Sequence, residues 1–222
     1  MDAKFWHNRW ATNDIAWHER SGNRLLVEHF KALNLESLDR IFVPLCGKTK
    51  DIAWLLGQGY KVVAVELSEM AVKALFEQLG VKPDVTQDGS LKRYSTSNLD
   101  VFVGDFFALS SAVLGSVNAV FDRAALVALP MGMRIEYTQH LAKITENAEQ
   151  LLIVFEYQQS LMDGPPFSIS ADEINLHYKK YYAVSQLSSV DVSGQLRGDF
   201  AAQENAYLLR PTAVATMPYS AK

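Results

Sequence analysis

The stretch from Arg40 to Met70, RIFVPLCGKTKDIAWLLGQGYKVVAVELSEM, constrains the fold more than any other part of the chain. Two apolar runs, Ile41 to Pro44 and Lys61 to Val65, flank a tight turn around Gly47 and an amphipathic segment from about Lys50 to Gln58. Continuous β-branched runs suit parallel strands covered on both sheet faces, since neither face can then be polar. The helix-length gap makes the unit a βαβ crossover, and its right-handedness brings the turn after the first strand beside Glu66 after the second. Both then lie at the carboxyl edge of the sheet, where open α/β sheets bind their ligands. A carboxylate there can accept both ribose hydroxyls of a nucleoside.

The remaining segments extend the same sheet. A helix is expected from about Asn23, with Leu26, Phe30 and Leu33 on one face, and another from a Ser68 cap to Leu79, ended by Gly80. Asp88-Gly89 marks a turn inside the polar stretch Asp84 to Asn98, which reads as a hairpin-like excursion. Core strands follow at Leu99 to Val103, running into Gly104-Asp105-Phe106, and at Val117 to Phe121, running into Asp122-Arg123. A helix from Met133 to Ala148 would bury Tyr137, Leu141, Ile144 and Ala148. The most apolar strand, Leu151 to Tyr157, is expected at the sheet centre or one step from it. After the loop Gly164-Pro165-Pro166-Phe167, a capping box at Ser170 to Glu173 starts a further helix. Tyr182 to Val192 and Gln203 to Leu209 read as a closing antiparallel pair, and residues 211–222 as a flexible tail.

The segment before Asn23 holds Trp6, Trp10 and Trp17 in a polar context. Trp6 and Trp10, four apart, share a helix face. Two readings stay open: a helix that staples aromatics to the core, or a lid, formed by residues 1–35, over a flat or cationic ligand.

At 222 residues, with 49% hydrophobic and 21% charged, the chain fits one domain with a substantial core. A net charge of −4 and the lack of a basic run argue against nonspecific nucleic-acid binding. The N-terminus MDAKFWHNRW lacks a signal-peptide core and no stretch is long and apolar enough for a membrane span, so a cytoplasmic protein is expected. One cysteine, Cys46, allows no internal disulfide, and the five histidines show no metal-ligand spacing, so no metal is expected. Cys46 beside a tight turn reads as a small buried filler.

Alternating strands and helices with an acid after the second strand fit two enzyme groups, nicotinamide or flavin dehydrogenases and S-adenosylmethionine-dependent methyltransferases. A dinucleotide site needs several glycines so that backbone amides can approach a pyrophosphate. Here the turn Pro44-Leu45-Cys46-Gly47-Lys48-Thr49 has one. A sulfonium nucleoside has no phosphate, and one close-approach glycine is enough for it.

The string FVPLCGKTKDIAWLLGQGYKVVAVELSE resembles the first motif region of the thiopurine S-methyltransferase family, and further matches follow in order: FWxxRW, AWHERSGNRLL, FDRAALVALP, GPPFSI and ENAYLL. The resemblance runs from about Phe5 to Arg210 and is closest to the bacterial branch. It implies a class I methyltransferase (Rossmann-like) α/β fold, a mostly parallel central sheet with an antiparallel C-terminal strand and helices on both faces. It implies S-adenosylmethionine as methyl donor and a small-molecule thiol as acceptor, such as a thiopurine; bacterial members are also linked to selenium and tellurium compounds.

Carried over by position, the resemblance implies that Trp10 covers the donor, Leu45 and Gly47 meet its amino-acid part, and Glu66 holds its ribose. Asp105 and Phe106 would flank the adenine, and Arg123 would sit near the sulfonium and the acceptor as the catalytic residue. Trp6, Trp17, Pro166, Phe167 and Arg197 would contribute to the acceptor pocket, Arg197 from the poorly matching segment SGQLRGDF. A bland reading makes Asp122 and Arg123 a surface ion pair. A monomer is the default, and a noncatalytic S-adenosylmethionine or nucleoside sensor on the same fold is the rival function.

Overall fold

The computed structural model describes residues 3–12, 14 and 22–212. Helix α1 (Ala3–Ala11) and helix α2 (Arg24–His29) precede the first strand, and α2 runs on as a 3-10 turn over Phe30–Leu33. Asn23 starts α2, its Oδ1 accepting the N–H groups of Leu25 and Leu26, which a helix N-terminus otherwise leaves unpaired. The nucleoside-type unit follows as β1 (Arg40–Val43), α3 (Asp51–Gly57), β2 (Lys61–Glu66) and α4 (Glu69–Leu79). Then come β3 (Asp84–Asp88), β4 (Leu91–Ser95), β5 (Leu99–Val103), α5 (Ser111–Leu114), β6 (Ala119–Arg123), α6 (Met131–Ile144) and β7 (Glu149–Tyr157). The chain closes with α7 (Ala171–Tyr178), β8 (Tyr182–Asp191) and β9 (Ala202–Pro211).

One nine-stranded sheet runs β3-β4-β5-β2-β1-β6-β7-β9-β8. The inner strands β5, β2, β1, β6 and β7 are parallel, and antiparallel pairs flank them on both sides. From Ile41 onward β1 is apolar at every step because the two sheet faces are both covered. Ile41 and Val43 face the cluster built by α2, α3 and α4, while Phe42 faces the cluster built by α6 and α7. The chain winds from β1 to β2 on one side and returns to β6 on the other, so a crevice opens beyond their carboxyl ends.

Four expectations shift. The fourth core strand spans Ala119–Arg123, so Asp122 and Arg123 pair with Leu152 and Ile153 inside the sheet instead of following it. Helix α6 stops at Ile144 because Glu146 and Asn147 take left-handed backbone (φ 52° and 60°), which leaves Ala148 outside it. Strand β7 lies two steps from the central β1, because the hairpin β3-β4 and the pair β9-β8 extend the sheet on opposite sides. The closing pair spans Tyr182–Asp191 and Ala202–Pro211. Trp17 and residues 213–222 lie outside the described residues.

Candidate active site

Strand β1 ends at Val43, and the following turn is tied to its neighbours through the backbone. Leu45 (φ 46°) and Gly47 (φ 55°) both adopt left-handed backbone, a conformation that strains any residue with a Cβ by about 1–2 kcal/mol. Strain of this kind collects at ligand edges, where surrounding contacts hold it in place. Here the Cys46 N–H donates to the Val65 carbonyl at 3.0 Å, locking the turn onto β2. Space at Gly47 is tight as well: a Cβ there would lie 3.0 Å from Cζ2 of Trp10, so the indole would have to give way. The indole of Trp10, buried on α1, thus lies directly against the turn.

Glu66, the last residue of β2, is 6% exposed. Its Oε2 accepts the Gly47 N–H and its Oε1 the Ser68 N–H, each at 2.8 Å. Burial pushes its pKa up, and the amides of Ser68, Gly47 and Leu67 oppose that by stabilising the anion. A carboxylate has about four acceptor positions, more than these amides use. The same burial, with the Glu66 charge added, pushes the Cys46 thiol well up, which disfavours a thiolate and fits a filler role.

Beyond β5, Asp105 accepts the Phe107 N–H at 3.0 Å and so caps the short 3-10 turn Phe106–Ala108. That cap fixes Phe106, whose ring packs against Tyr137 of α6 at 4.9 Å between centroids. Tyr137 donates its hydroxyl to Asp122 Oδ2 at 2.7 Å, within the core. Asp122 is fully buried, so it is no partner in a surface ion pair. Burial lifts its pKa to about 7, opposed by the bonds from Tyr137 and the Leu126 backbone.

These residues surround one cavity of about 610 Å³. Its wall carries Trp10, Leu45, Gly47, Glu66, Asp105 and Phe106, and Arg123 stands at the end of β6. Opposite them, Val127, Leu129, Met133, Phe155, Pro165 and Pro166 form an apolar wall. Trp6 and Arg197 also line the space. Arg197 is half exposed and bonds Asp14 at 3.1 Å, and Asp14 also pairs with Arg9 of α1, so a loop near β9 and the N-terminal segment meet over the cavity.

The family model described as thiopurine S-methyltransferase matches residues 1–211. This chain belongs to the thiopurine S-methyltransferase family. The thiopurine S-methyltransferase of Xanthobacter autotrophicus is 50% identical to it over 210 residues, covering 94% of this chain and 99% of that protein. That of Teredinibacter turnerae is 44% identical over 209 residues, covering 94% and 97%. Among solved structures, a SAM-dependent methyltransferase from Anabaena variabilis aligns with a TM-score of 0.64 at 13% identity over 95% of each chain. Magnesium protoporphyrin IX methyltransferase from Synechocystis, solved with bound SAH, aligns at 0.63 and 13% identity over 94% of this chain and all of that one. At such identities these two establish the class I methyltransferase fold and no more.

Within this thiopurine S-methyltransferase family member, the cavity gathers Trp6, Trp10, Leu45, Gly47, Glu66, Asp105, Phe106, Arg123, Pro166 and Arg197. Phe167 is not among the lining residues: its ring lies under the Arg134 guanidinium, and Pro165 lines the wall with Pro166. Trp17 lies outside the described residues. The two readings of the N-terminal tryptophans coincide at Trp10, which is both buried and part of the cavity wall. Sequence reading missed Val127, Leu129, Met133 and Phe155. Phe155 could have been found, since it stands near the carboxyl end of β7, at the ligand edge, whereas the others depend on how the segment entering α6 folds back. Among the described residues, no group of three or more His, Cys, Asp or Glu side chains could hold a metal ion, and no helix is long and apolar enough to cross a membrane.

Proposed function

We propose that this protein is an S-adenosylmethionine-dependent S-methyltransferase whose acceptors are aromatic and heterocyclic thiols such as thiopurines. Family membership supports the reaction class. The structural observation that carries the reading is Glu66, a buried carboxylate braced by two backbone amides beneath Trp10, at the edge of an apolar cavity that also holds Arg123. The donor set fits a sulfonium nucleoside: a diol-accepting carboxylate, an aromatic platform at Phe106, a turn flush against an indole, and no multi-glycine cradle for a pyrophosphate. S-adenosylmethionine would supply an activated methyl group on a cationic sulfur.

The chain's own residues then do three things. Glu66, with Asp105 and Phe106, would bind and orient the nucleoside, and Leu45 and Gly47 its amino-acid end. Trp6, Trp10 and the apolar wall would exclude water, and alignment of the two reactants accounts for up to ~7–11 kcal/mol of barrier lowering in well-oriented systems. Arg123 would favour the anionic form of the acceptor and steer it, since a guanidinium keeps its charge throughout the physiological range. No strong base is required, because a heteroaromatic thiol is already partly ionised near neutrality. A monomeric, cytoplasmic enzyme completes the proposal.

The test is calorimetric titration with S-adenosylmethionine followed by methyl transfer to a panel of aromatic thiols. Transfer supports the enzyme. Binding without transfer to any acceptor supports the sensor. Arg123→Ala should lower turnover of a thiol acceptor at saturating donor; unchanged turnover refutes its role.

A further inference from the structure

Phe167 follows the lining residues Pro165 and Pro166 without itself lining the cavity, and the groups around it form a connected unit that the proposed reaction does not otherwise use. Arg134, one residue beyond the wall residue Met133 on α6, is 4% exposed. Its Nη1 donates to Glu173 Oε1 at 2.6 Å, and Glu173 sits in the first turn of α7. His177, one turn later, approaches the same oxygen at 3.1 Å through Nε2, which carries the proton because an ionised carboxylate only accepts. The guanidinium carbon of Arg134 stands 5.5 Å from the centre of the Phe167 ring, within cation-π range. Gly164 closes on the same ring, so tightly that a Cβ would lie 2.6 Å from Cδ1. The Phe167 N–H donates to the Val127 carbonyl at 2.6 Å, and Tyr157 donates its hydroxyl to the Pro166 carbonyl at 2.6 Å. Pro165, Pro166, Val127 and Met133 line the cavity. The ring of Phe167 therefore meets both Arg134 and Gly164, and the wall segments next to it are tied to the same unit.

We propose that Arg134, Glu173 and Phe167 are positioning residues that set the spacing of the acceptor wall and thereby the ring size of the thiol the site takes. The inference rests on the S-methyltransferase reading. Arg134 and Glu173 hold each other at a fixed distance across the α6–α7 junction. The planar guanidinium presents the face on which Phe167 rests, which a lysine would not supply. A smaller or non-aromatic side chain at 167 lets the Pro165-Pro166 segment settle toward Arg134 and away from the cavity, so that the outer ring of a bicyclic thiol loses a wall contact that a single-ring thiol does not reach.

The experiment measures KM and kcat for a bicyclic thiopurine and for thiophenol, together with S-adenosylhomocysteine affinity. It uses wild type, Phe167→Leu, Phe167→Tyr and Arg134→Lys. Phe167 is only half buried and Arg134→Lys keeps the charge opposite Glu173, so these variants avoid stranding a buried carboxylate. In Phe167→Leu the preference for the thiopurine over thiophenol in kcat/KM should fall by about tenfold, a typical apolar-pocket discrimination, mainly through KM. Arg134→Lys should shift it in the same direction, Phe167→Tyr should restore it, and S-adenosylhomocysteine affinity should hold. If wild type turns over thiols but both acceptors change in parallel, or donor affinity falls with them, the brace is merely structural and the proposal is overturned. If wild type methylates neither thiol, the S-methyltransferase reading fails and this inference falls with it.

Discussion

Replacing Glu66 by Gln isolates the carboxylate on which donor binding is proposed to depend. In the native structure both oxygens are used from behind, by the Gly47 and Ser68 amides at 2.8 Å each. A glutamine offers one oxygen to two N–H donors, so one amide faces an NH2 group and loses its partner, a penalty of ~1–3 kcal/mol when buried. Opposing that, the variant no longer buries a charge, and burial is the largest influence on the Glu66 pKa. The two effects have opposite signs, so stability should change little. Binding has no such offset. The ribose hydroxyls would exchange a charge-assisted acceptor for a neutral one, a loss of roughly 1.5–3 kcal/mol. That corresponds to S-adenosylhomocysteine affinity weaker by about 10- to 150-fold. Calorimetry near neutral pH measures it, with a denaturant melt as control. Protonating Glu66 should mimic the substitution: because its pKa is raised, wild-type affinity should decline on acidification from a higher pH than an ordinary glutamate gives, while the Gln variant lacks that step. Equal affinity and the same pH profile in both proteins would refute ribose binding by Glu66.

Gly47→Ala adds a Cβ in left-handed backbone, ~1–2 kcal/mol of strain, and drives it against Trp10. It should weaken S-adenosylhomocysteine binding and alter tryptophan fluorescence, and unchanged affinity would refute the close approach. Asp122 has a folded pKa of about 7 against an ordinary 3.8, so the folded state binds more protons across that interval. Its contribution to stability is present at low pH and is lost as pH rises from about 4 to about 7. Asp122→Asn lacks this titration while still accepting from Tyr137, so variant minus wild-type stability should rise across the window, by at most ~4 kcal/mol. Urea unfolding at several pH values checks this, and a flat difference would show that Asp122 titrates normally. Arg197→Ala breaks a half-exposed ion pair with Asp14 worth under ~1 kcal/mol, so stability should hold. If Arg197 also meets the acceptor anion, KM for the thiol should rise, most clearly at low salt. An unchanged KM would leave Arg197 as a tie between the N-terminal segment and its loop.

What could be read from the residues follows from where structure is local. The β1-turn-α3-β2 unit was legible because its apolar runs, single glycine and terminal acid all act within one crossover, and right-handedness places them without further information. Phe106 was legible because Asp105 precedes it at a strand end and caps its turn. Asp122 was not. A charged residue in a sheet core is intelligible only once Tyr137, fifteen positions on, is known to reach it. Phe167 shows a different limit. The resemblance set it on the pocket wall with Pro166, yet successive residues of a loop can face different ways: Pro165 and Pro166 line the cavity, while the Phe167 ring meets Arg134 and Gly164. The ends of β6 and α6 moved for local reasons invisible to hydrophobic periodicity, namely strand pairing at Asp122 and Arg123 and two left-handed residues after Thr145.

The two halves of the cavity are therefore made differently, and the difference bears on function. The side proposed to hold the donor is fixed by backbone: the Gly47 and Ser68 amides set Glu66, the Cys46 amide sets the turn against β2, and the sheet sets their spacing. Side-chain changes elsewhere have little leverage on that edge. The opposite wall is assembled from the segment entering α6 and the loop through Phe167, joined by the Phe167 N–H to the Val127 carbonyl, and side-chain ties hold the elements around it, Arg134 of α6 to Glu173 of α7 and Arg197 to Asp14. Its width therefore responds to residues that touch neither ligand. On that division, variants of the ties should separate the two substrates kinetically, shifting acceptor KM while donor affinity holds, whereas Glu66 and Gly47 variants should move donor affinity whichever thiol is supplied.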